Sequence, residues 1–279
     1  MTTAAAAGNI PVLGLGTYEL TGETAFEIVR HALQVGYRHI DTAQAYDNEA
    51  EVGHGILASG LPRAHVFLTT KVWPDRFSRP KLIQSVDESL SKLGTDYIDL
   101  LLLHWPNPDI PLRETLEALM AVQSAGKTRF IGLSNFTIEL MQQAIAICGR
   151  GKLVTNQVEY HPYLDQSRVI AAAHSLDMMT TAYRPIAKGR IFQEKTLQQI
   201  AQQHNKNAAQ VTLRWLIQQG VIAIPRSSNP EHVSQNFEIF DFELTSDEMA
   251  AIDQLRGDRR LVSPEGLAPD WDKPPAEAA

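Results

Sequence analysis

Asp41, Tyr46, Lys71 and His104 are residue types that together can assist addition to a carbonyl. A Lys–Asp pair on adjacent strand ends keeps the ammonium charged. A cation beside a phenol favours phenolate, which lowers Tyr46 from its usual ~10 toward working pH. A tyrosine so poised donates a proton to a forming alkoxide, while a neighbouring histidine holds the carbonyl oxygen. The nucleophile in such chemistry is a hydride. No side chain carries one, so a nicotinamide cofactor is implied.

Each residue alone has a plainer reading. Asp41 could cap a helix or pair in the core. Lys71 could snorkel off a rim, Tyr46 could be half-buried with a satisfied hydroxyl, His104 could be a hydrogen-bonded core histidine, and Asn135 could be a turn residue. The functional reading rests on their placement together. Eight short apolar runs occur at 12–15, 37–40, 66–70, 98–103, 130–133, 153–158, 178–182 and 221–224. Polar residues follow seven of them: Asp41, Lys71, His104, Ser134–Asn135, Asn156–Gln157, Tyr183 and Arg226–Ser227. Charged and amide groups are costly to bury, so a convergent ring of them needs a reason.

Between the runs lie segments with apolar residues every three or four positions, at 24–35, 80–93, 113–124, 137–147, 167–175 and 208–218. Thr137 and Ser78 stand where two of these stripes would be capped. Such alternation predicts βαβ units and a parallel sheet, and eight units fit a single-domain (β/α)8 TIM barrel. In that fold the strand ends converge on one rim. The GxGxxA at Gly53–Ala58 follows acidic residues in a helical stretch, not a strand, so it is not a dinucleotide fingerprint. The expected organisation is a disordered tail at 1–9, a barrel at 10–257, and a C-terminal loop and tail at 258–279 over the rim, with disorder from Asp272.

The 279 residues carry a net charge of −7 without a basic block. This argues against nucleic-acid and anionic-membrane partners. A lone cysteine, Cys148, excludes an internal disulfide and fits a reducing cytoplasm. No secretory signal or membrane-length apolar run is evident. No metal site is expected.

Asp41-Thr42-Ala43…Tyr46, Lys71, Leu103-His104-Trp105-Pro106, Ile131–Phe136, Asn156–Pro162 and Ile224–Ser227 resemble the aldo-keto reductases over about residues 10–256. That resemblance implies a (β/α)8 barrel binding NADP(H) across the rim, a small-molecule carbonyl substrate and a monomer. It implies Tyr46 as general acid, Lys71 and Asp41 as its tuners, and His104 as carbonyl orienter. Ser134, Asn135 and Gln157 would hold the carboxamide, with Tyr183 stacking on the nicotinamide. Further cofactor residues would be Gly16, Thr17, Asp41, Arg184, Ile186, Arg226, Ser227, Ser228, His232, Gln235 and Asn236. Substrate would meet Tyr18, Tyr46, Trp73, His104, Trp105 and Trp271.

The sequence departs from the family pattern in places. Arg184 stands where serine is common, Arg226 replaces a lysine but can still fork onto a 2′-phosphate, and His232 and Gln235 replace Arg and Glu. NADP preference with some use of NAD(H) is expected. Arg184 or Arg260 could meet a substrate carboxylate. The front half and the run from Asp258 resemble a bacterial subgroup that reduces keto-sugar acids, methylglyoxal and small aldehydes. The rival readings are an NADP(H)-holding sensor or partner-binding barrel with little turnover, and a metal-dependent hydrolase using Asp41, His104 and His161.

Overall fold

The run 100–103 consists of four leucines because both faces of its strand are covered. Leu100 and Leu102 pack with Ile10, Val12, Phe67, Val154 and Ile222, whereas Leu101 and Leu103 pack with the surrounding helices. Successive side chains of a strand point to opposite faces, so a parallel strand buried on both sides reads as continuous apolar sequence. The computed structural model describes residues 9–273. Its strands are β1 (Leu15–Gly16), β2 (His39–Asp41), β3 (Phe67–Val72), β4 (Ile98–Leu103), β5 (Thr128–Ser134), β6 (Leu153–Glu159), β7 (Met179–Tyr183) and β8 (Ile222–Ile224). They form one parallel sheet in chain order. A bridge from Leu13 to Ala223, with Gly14 N donating to Ala223 O at 2.9 Å and Ala223 N to Val12 O at 2.9 Å, joins the first strand to the last. This is the expected (β/α)8 barrel.

Around it lie α1 (Gly22–Val35), α2 (Glu49–Ala58), α3 (Arg79–Leu93), α4 (Leu112–Ser124), α5 (Ile138–Cys148), α6 (Ser167–Ser175), α7 (Lys195–His204), α8 (Ala208–Gln218), α9 (Pro230–Phe237) and α10 (Ser246–Asp253). Thr137 caps α5 by accepting from Leu140 N at 3.3 Å. Ser78 occupies the N-cap of α3 without a side-chain bond. The sequence pattern missed α7, α9 and α10. The buried stripe of α7, Leu197, Ile200 and Ala201, is as wide as that of α5, but its remaining positions are all polar, so the segment reads as hydrophilic. Helix α10 buries Ile252 alone, although Thr245 and Glu248 form a capping box at its start.

The GxGxxA glycines serve helix packing. A Cβ on Gly53 would collide with the Leu93 carbonyl, and one on Gly55 would lie 2.8 Å from Phe26 O. Both glycines sit within α2, so their missing side chains let α2 close on α3 and α1.

Residues 1–8 of the expected N-terminal tail, and 274–279 of the C-terminal one, lie outside the described residues. Asp272, expected to begin a disordered tail, instead accepts a hydrogen bond from Ile138 N at 3.0 Å, and the Lys273 carbonyl accepts one from Arg168 at 2.8 Å. An acidic side chain at the start of α5 also suits the positive end of the helix dipole.

Gly53→Ala is expected to destabilise the fold by about 1–3 kcal/mol, since backbone rather than a flexible side chain opposes the new methyl group. Thermal unfolding of the variant beside the parent checks this.

Candidate active site

The interior of the barrel is layered. Phe67, Thr69 and Lys71 alternate along the inner face of β3, so the side chains turn from apolar to polar toward the strand end. Lys71 is fully buried there. Its Nζ donates to Asp41 Oδ1 at 2.5 Å, to Thr42 O at 2.7 Å and to Tyr46 Oη at 3.3 Å, which uses all three N–H groups. The second Asp41 oxygen accepts from Gln157 Nε2 at 2.8 Å, across the barrel on β6.

From Gln157 the connections continue through the backbone. Its carbonyl accepts from Asn135 N at 2.9 Å and from Ser134 Oγ at 3.0 Å. Asn135 donates through Nδ2 to His104 O at 3.0 Å and accepts from Tyr183 Oη at 2.8 Å. Its φ of 63° lies in the left-handed region, which asparagine tolerates better than most residues. Polar groups from the ends of β2, β3, β4, β5, β6 and β7 thus belong to one connected set.

Tyr46 is carried by a 3₁₀ turn, Gln44–Tyr46, after β2. Two side chains fix that loop. Buried Asn48 donates to Thr17 O and Leu20 O at 2.9 and 2.8 Å, and Gln44 Oε1 accepts from Trp73 N at 3.3 Å. The Tyr46 ring meets Tyr18 edge-on at 5.0 Å and His104 at 5.6 Å. Trp73 also meets the His104 ring edge-on, at 5.1 Å.

The electrostatics differ from the sequence expectation. Burial pushes the Tyr46 phenol well above its ordinary 10.0, Asp41 and Tyr18 add to the rise, and Arg184 opposes it. The lowering expected from Lys71 does not occur, because burial dominates and the Asp41 carboxylate adds to the rise. Burial also lowers Lys71 from 10.5, with Asp41 working against that shift. His104 falls well below 6.5, through burial first and then the Lys71 charge, so its imidazole is neutral at physiological pH.

These groups open onto a cavity of about 1060 Å³. Of the residues singled out in the sequence, Gly16, Thr17, Tyr18, Asp41, Tyr46, Trp73, His104, Trp105, Ser134, Asn135, Gln157, Tyr183, Arg184, Ile186 and Arg226 line it. Lys71 lies behind this wall, bonded to Asp41 and Tyr46. Ser227, Ser228, His232, Gln235 and Asn236 are not brought to the cavity. Ser227 instead bonds Asn229 N at 3.0 Å, and Gln235 is engaged by Glu231 and Asn207. His232 is exposed and Asn236 is buried.

Arg226 is held against the cavity wall by donating to Tyr18 O at 3.0 Å and Glu19 O at 3.2 Å. Trp271 is not in the lining either. It stacks edge-on with Trp105 at 6.1 Å, under the Arg260 guanidinium at 3.7 Å. The C-terminal residues that do line the cavity are Val262, Pro264 and Leu267. The sequence signal for them is weak, three apolar residues in a Pro- and Gly-containing run without periodicity.

The fit to a dinucleotide can be judged from this geometry. The cavity reaches the upper end of the volumes that hold drug-sized ligands, more than a small carbonyl needs. Three polar atoms buried among its lining residues, Glu49 Oε2, His104 Nδ1 and Arg184 Nη1, have no hydrogen-bond partner. Arg184 (φ 51°) is followed by Ala187 (46°) and Lys188 (54°), so the backbone after β7 repeatedly enters the left-handed region. Strain of this kind, about 1–3 kcal/mol per residue, collects at ligand sites. The wall also carries Glu19, Glu49, Asp75 and Glu88, so it is the part around Arg184, the unpartnered cation, that suits the anionic groups of a dinucleotide.

Residues 12–256 match the model of the aldo/keto reductase family. The chain belongs to that family. It is 44% identical to methylglyoxal reductase DkgB of Escherichia coli O157:H7, over 94% of this chain and 99% of that protein. A crystal structure provisionally described as a 2,5-diketo-D-gluconic acid reductase B superposes with a TM-score of 0.95 at 49% identity, covering 98% of each chain. The crystal structure of a Bombyx mori aldo-keto reductase in complex with NADP gives a TM-score of 0.87 at 34% identity, over 94% of this chain and 96% of that one. As an aldo-keto reductase, the protein is an enzyme of carbonyl reduction.

Because burial raises the Tyr46 phenol, the ultraviolet tyrosinate signal of the parent and of Tyr46→Phe should coincide up to pH 10.0. A tyrosinate signal lost on substitution at neutral pH would contradict the assignment.

Proposed function

We propose that this aldo-keto reductase reduces small aldehydes and ketones, including methylglyoxal and keto-sugar acids, with NADPH as the preferred reductant and some use of NADH. The observation that carries the reading is the meeting of Tyr46 Oη, the buried Lys71–Asp41 pair and the neutral His104 ring at one cavity wall. The names of the Escherichia coli relative and of the reductase B structure support this substrate class.

In this reading Ser134, Asn135, Gln157 and Tyr183 hold the nicotinamide end of the cofactor. Gly16, Thr17, Arg184, Ile186 and Arg226 line the path of its phosphates. Bound there, NADPH supplies hydride to the carbonyl carbon. The chain's own residues manage the oxygen. His104 orients it by hydrogen bonding, and Tyr46 gives its proton from Oη as the alkoxide forms. Lys71 Nζ, hydrogen-bonded to that same oxygen, stabilises the phenolate left behind.

A raised phenol suits this role, because the donor form is then present throughout the neutral range. Neutral His104 likewise leaves no second cation at the carbonyl. Tyr18, Trp73 and Trp105 supply the apolar wall for the substrate. The reading keeps the enzyme a cytoplasmic monomer; the lone Cys148, whose thiol burial pushes up to about 11, fits a reducing compartment.

Tyr46→Phe is expected to bind NADPH as the parent does, yet to reduce methylglyoxal roughly 10²–10⁴-fold more slowly. Cofactor fluorescence titration and steady-state turnover with NADPH and NADH measure the two separately. Near-parental turnover in Tyr46→Phe would remove Tyr46 as the acid. If the parent binds NADPH but completes less than one turnover per site, the sensor reading replaces this one.

A further inference from the structure

Glu159, the last residue of β6, is fully buried yet takes no part in the Lys71 network. Its Oε1 accepts from Leu261 N at 2.7 Å and interacts with His161 Nε2 at 2.9 Å. Its Oε2 accepts from Val262 N at 2.8 Å. The two backbone donors lie 102 and 103 residues further along the chain. One carboxylate oxygen therefore serves the C-terminal segment alone among the described residues.

The same segment meets the barrel elsewhere. Arg259 N donates to Tyr163 O at 3.1 Å, Asp165 N to Gly257 O at 2.8 Å, and Ile138 N to Asp272 Oδ2 at 3.0 Å. Between these points the chain runs over the rim, where Val262, Pro264 and Leu267 join the cavity wall. The segment lies on the side of the cavity that holds the reacting carbonyl in the proposed reading, since its Trp271 packs on Trp105, the residue after His104.

We propose that Glu159 is a positioning residue for the carbonyl substrate, holding the C-terminal segment so that Val262, Pro264 and Leu267 complete the substrate side of the cavity. The physical ground is the acceptor chemistry. A carboxylate has lone pairs for all three donors and no proton to present to them. Bonds from backbone N–H groups to a charged acceptor are stronger than neutral ones. If the carboxylate served only His161, its second oxygen would have no need of Val262. Glu159 also pairs in register with Tyr183, so KM and the NADPH Kd are measured side by side to tell an effect on the substrate from one on the cofactor.

This inference rests on the reductase reading, and the experiment separates the two. Glu159→Gln keeps the size of the side chain but turns an amide N–H toward a backbone N–H. Hydrogen exchange of residues 259–267 should quicken by about tenfold or more, as expected when bonds to a charged acceptor are lost. KM for methylglyoxal should rise by about fivefold or more, while kcat and the NADPH Kd stay within about twofold. Leu261→Pro removes one donor from the segment's side and leaves the cavity lining in place, and should give the same split even if the buried substitution does not fold.

Unchanged exchange and KM in a folded variant would overturn the proposal. So would an NADPH Kd that rises in step with KM. If the parent reduces no carbonyl with NADPH, the reductase reading fails on its own. The exchange measurement still decides whether Glu159 holds the segment.

Discussion

A fully buried ammonium can persist only where every one of its protons is taken up. Lys71 meets that condition through Asp41, the Thr42 carbonyl and the Tyr46 hydroxyl. Removing one partner of a buried ion pair leaves an uncompensated charge, at a cost of about 3–5 kcal/mol. The demand spreads outward. Asp41 needs a donor for its second oxygen, which Gln157 supplies from a strand on the other side of the barrel. Gln157 in turn fixes Ser134 and Asn135, and Asn135 links to Tyr183 and to the backbone of His104. The polar layer at the strand ends is therefore a consequence of satisfying one cation.

The apolar layer beneath makes that cation effective. Phe67, Leu100, Leu102, Val154 and Ile222 pack into one buried apolar cluster, and Lys71 is fully buried. The same burial sets the protonation of its neighbours. It raises the phenol of Tyr46 and lowers the imidazole of His104, so both stay neutral beside a compensated ion pair. A neutral donor and a neutral orienter are what proton-assisted carbonyl addition requires, since neither adds unbalanced charge before the reaction begins.

The remaining walls of the cavity come partly from α2 and α3, with Glu49, Glu88 and Lys92, and partly from late in the chain. Arg184 and Arg226 enter after the last two strands and both approach Tyr18, one over its ring and one at its carbonyl. The segment after α10 supplies Val262, Pro264 and Leu267. Barrel strands place the reacting groups, and the flanking segments shape the space in front of them. This division follows from geometry, because strand ends are rigid while the connections beyond them are free to differ in length and composition.

Sequence alone determined the barrel and its rim. The alternation of short apolar runs with amphipathic stripes is local, as is the polar residue after each run, and both follow from the two periodicities of buried strands and covering helices. The chemistry of Asp41, Tyr46, Lys71 and His104 was legible for the same reason, since residue type and strand-end position suffice to bring them together. Tertiary structure decided the rest. Whether Tyr46 is raised or lowered depends on how deeply the phenol is buried and how near Asp41 lies, and neither depth nor distance is written in spacing. Helices α9 and α10 bury only Val233 and Ile252 among apolar side chains, and the apolar residues of α7 stand among glutamines, so none of the three stands out locally. The tail residues facing the cavity, and the carboxylate of Glu159 that meets them, are joined across more than a hundred residues of chain. A contact of that kind leaves no periodic trace, because it exists only once the barrel has brought its two ends to the same rim.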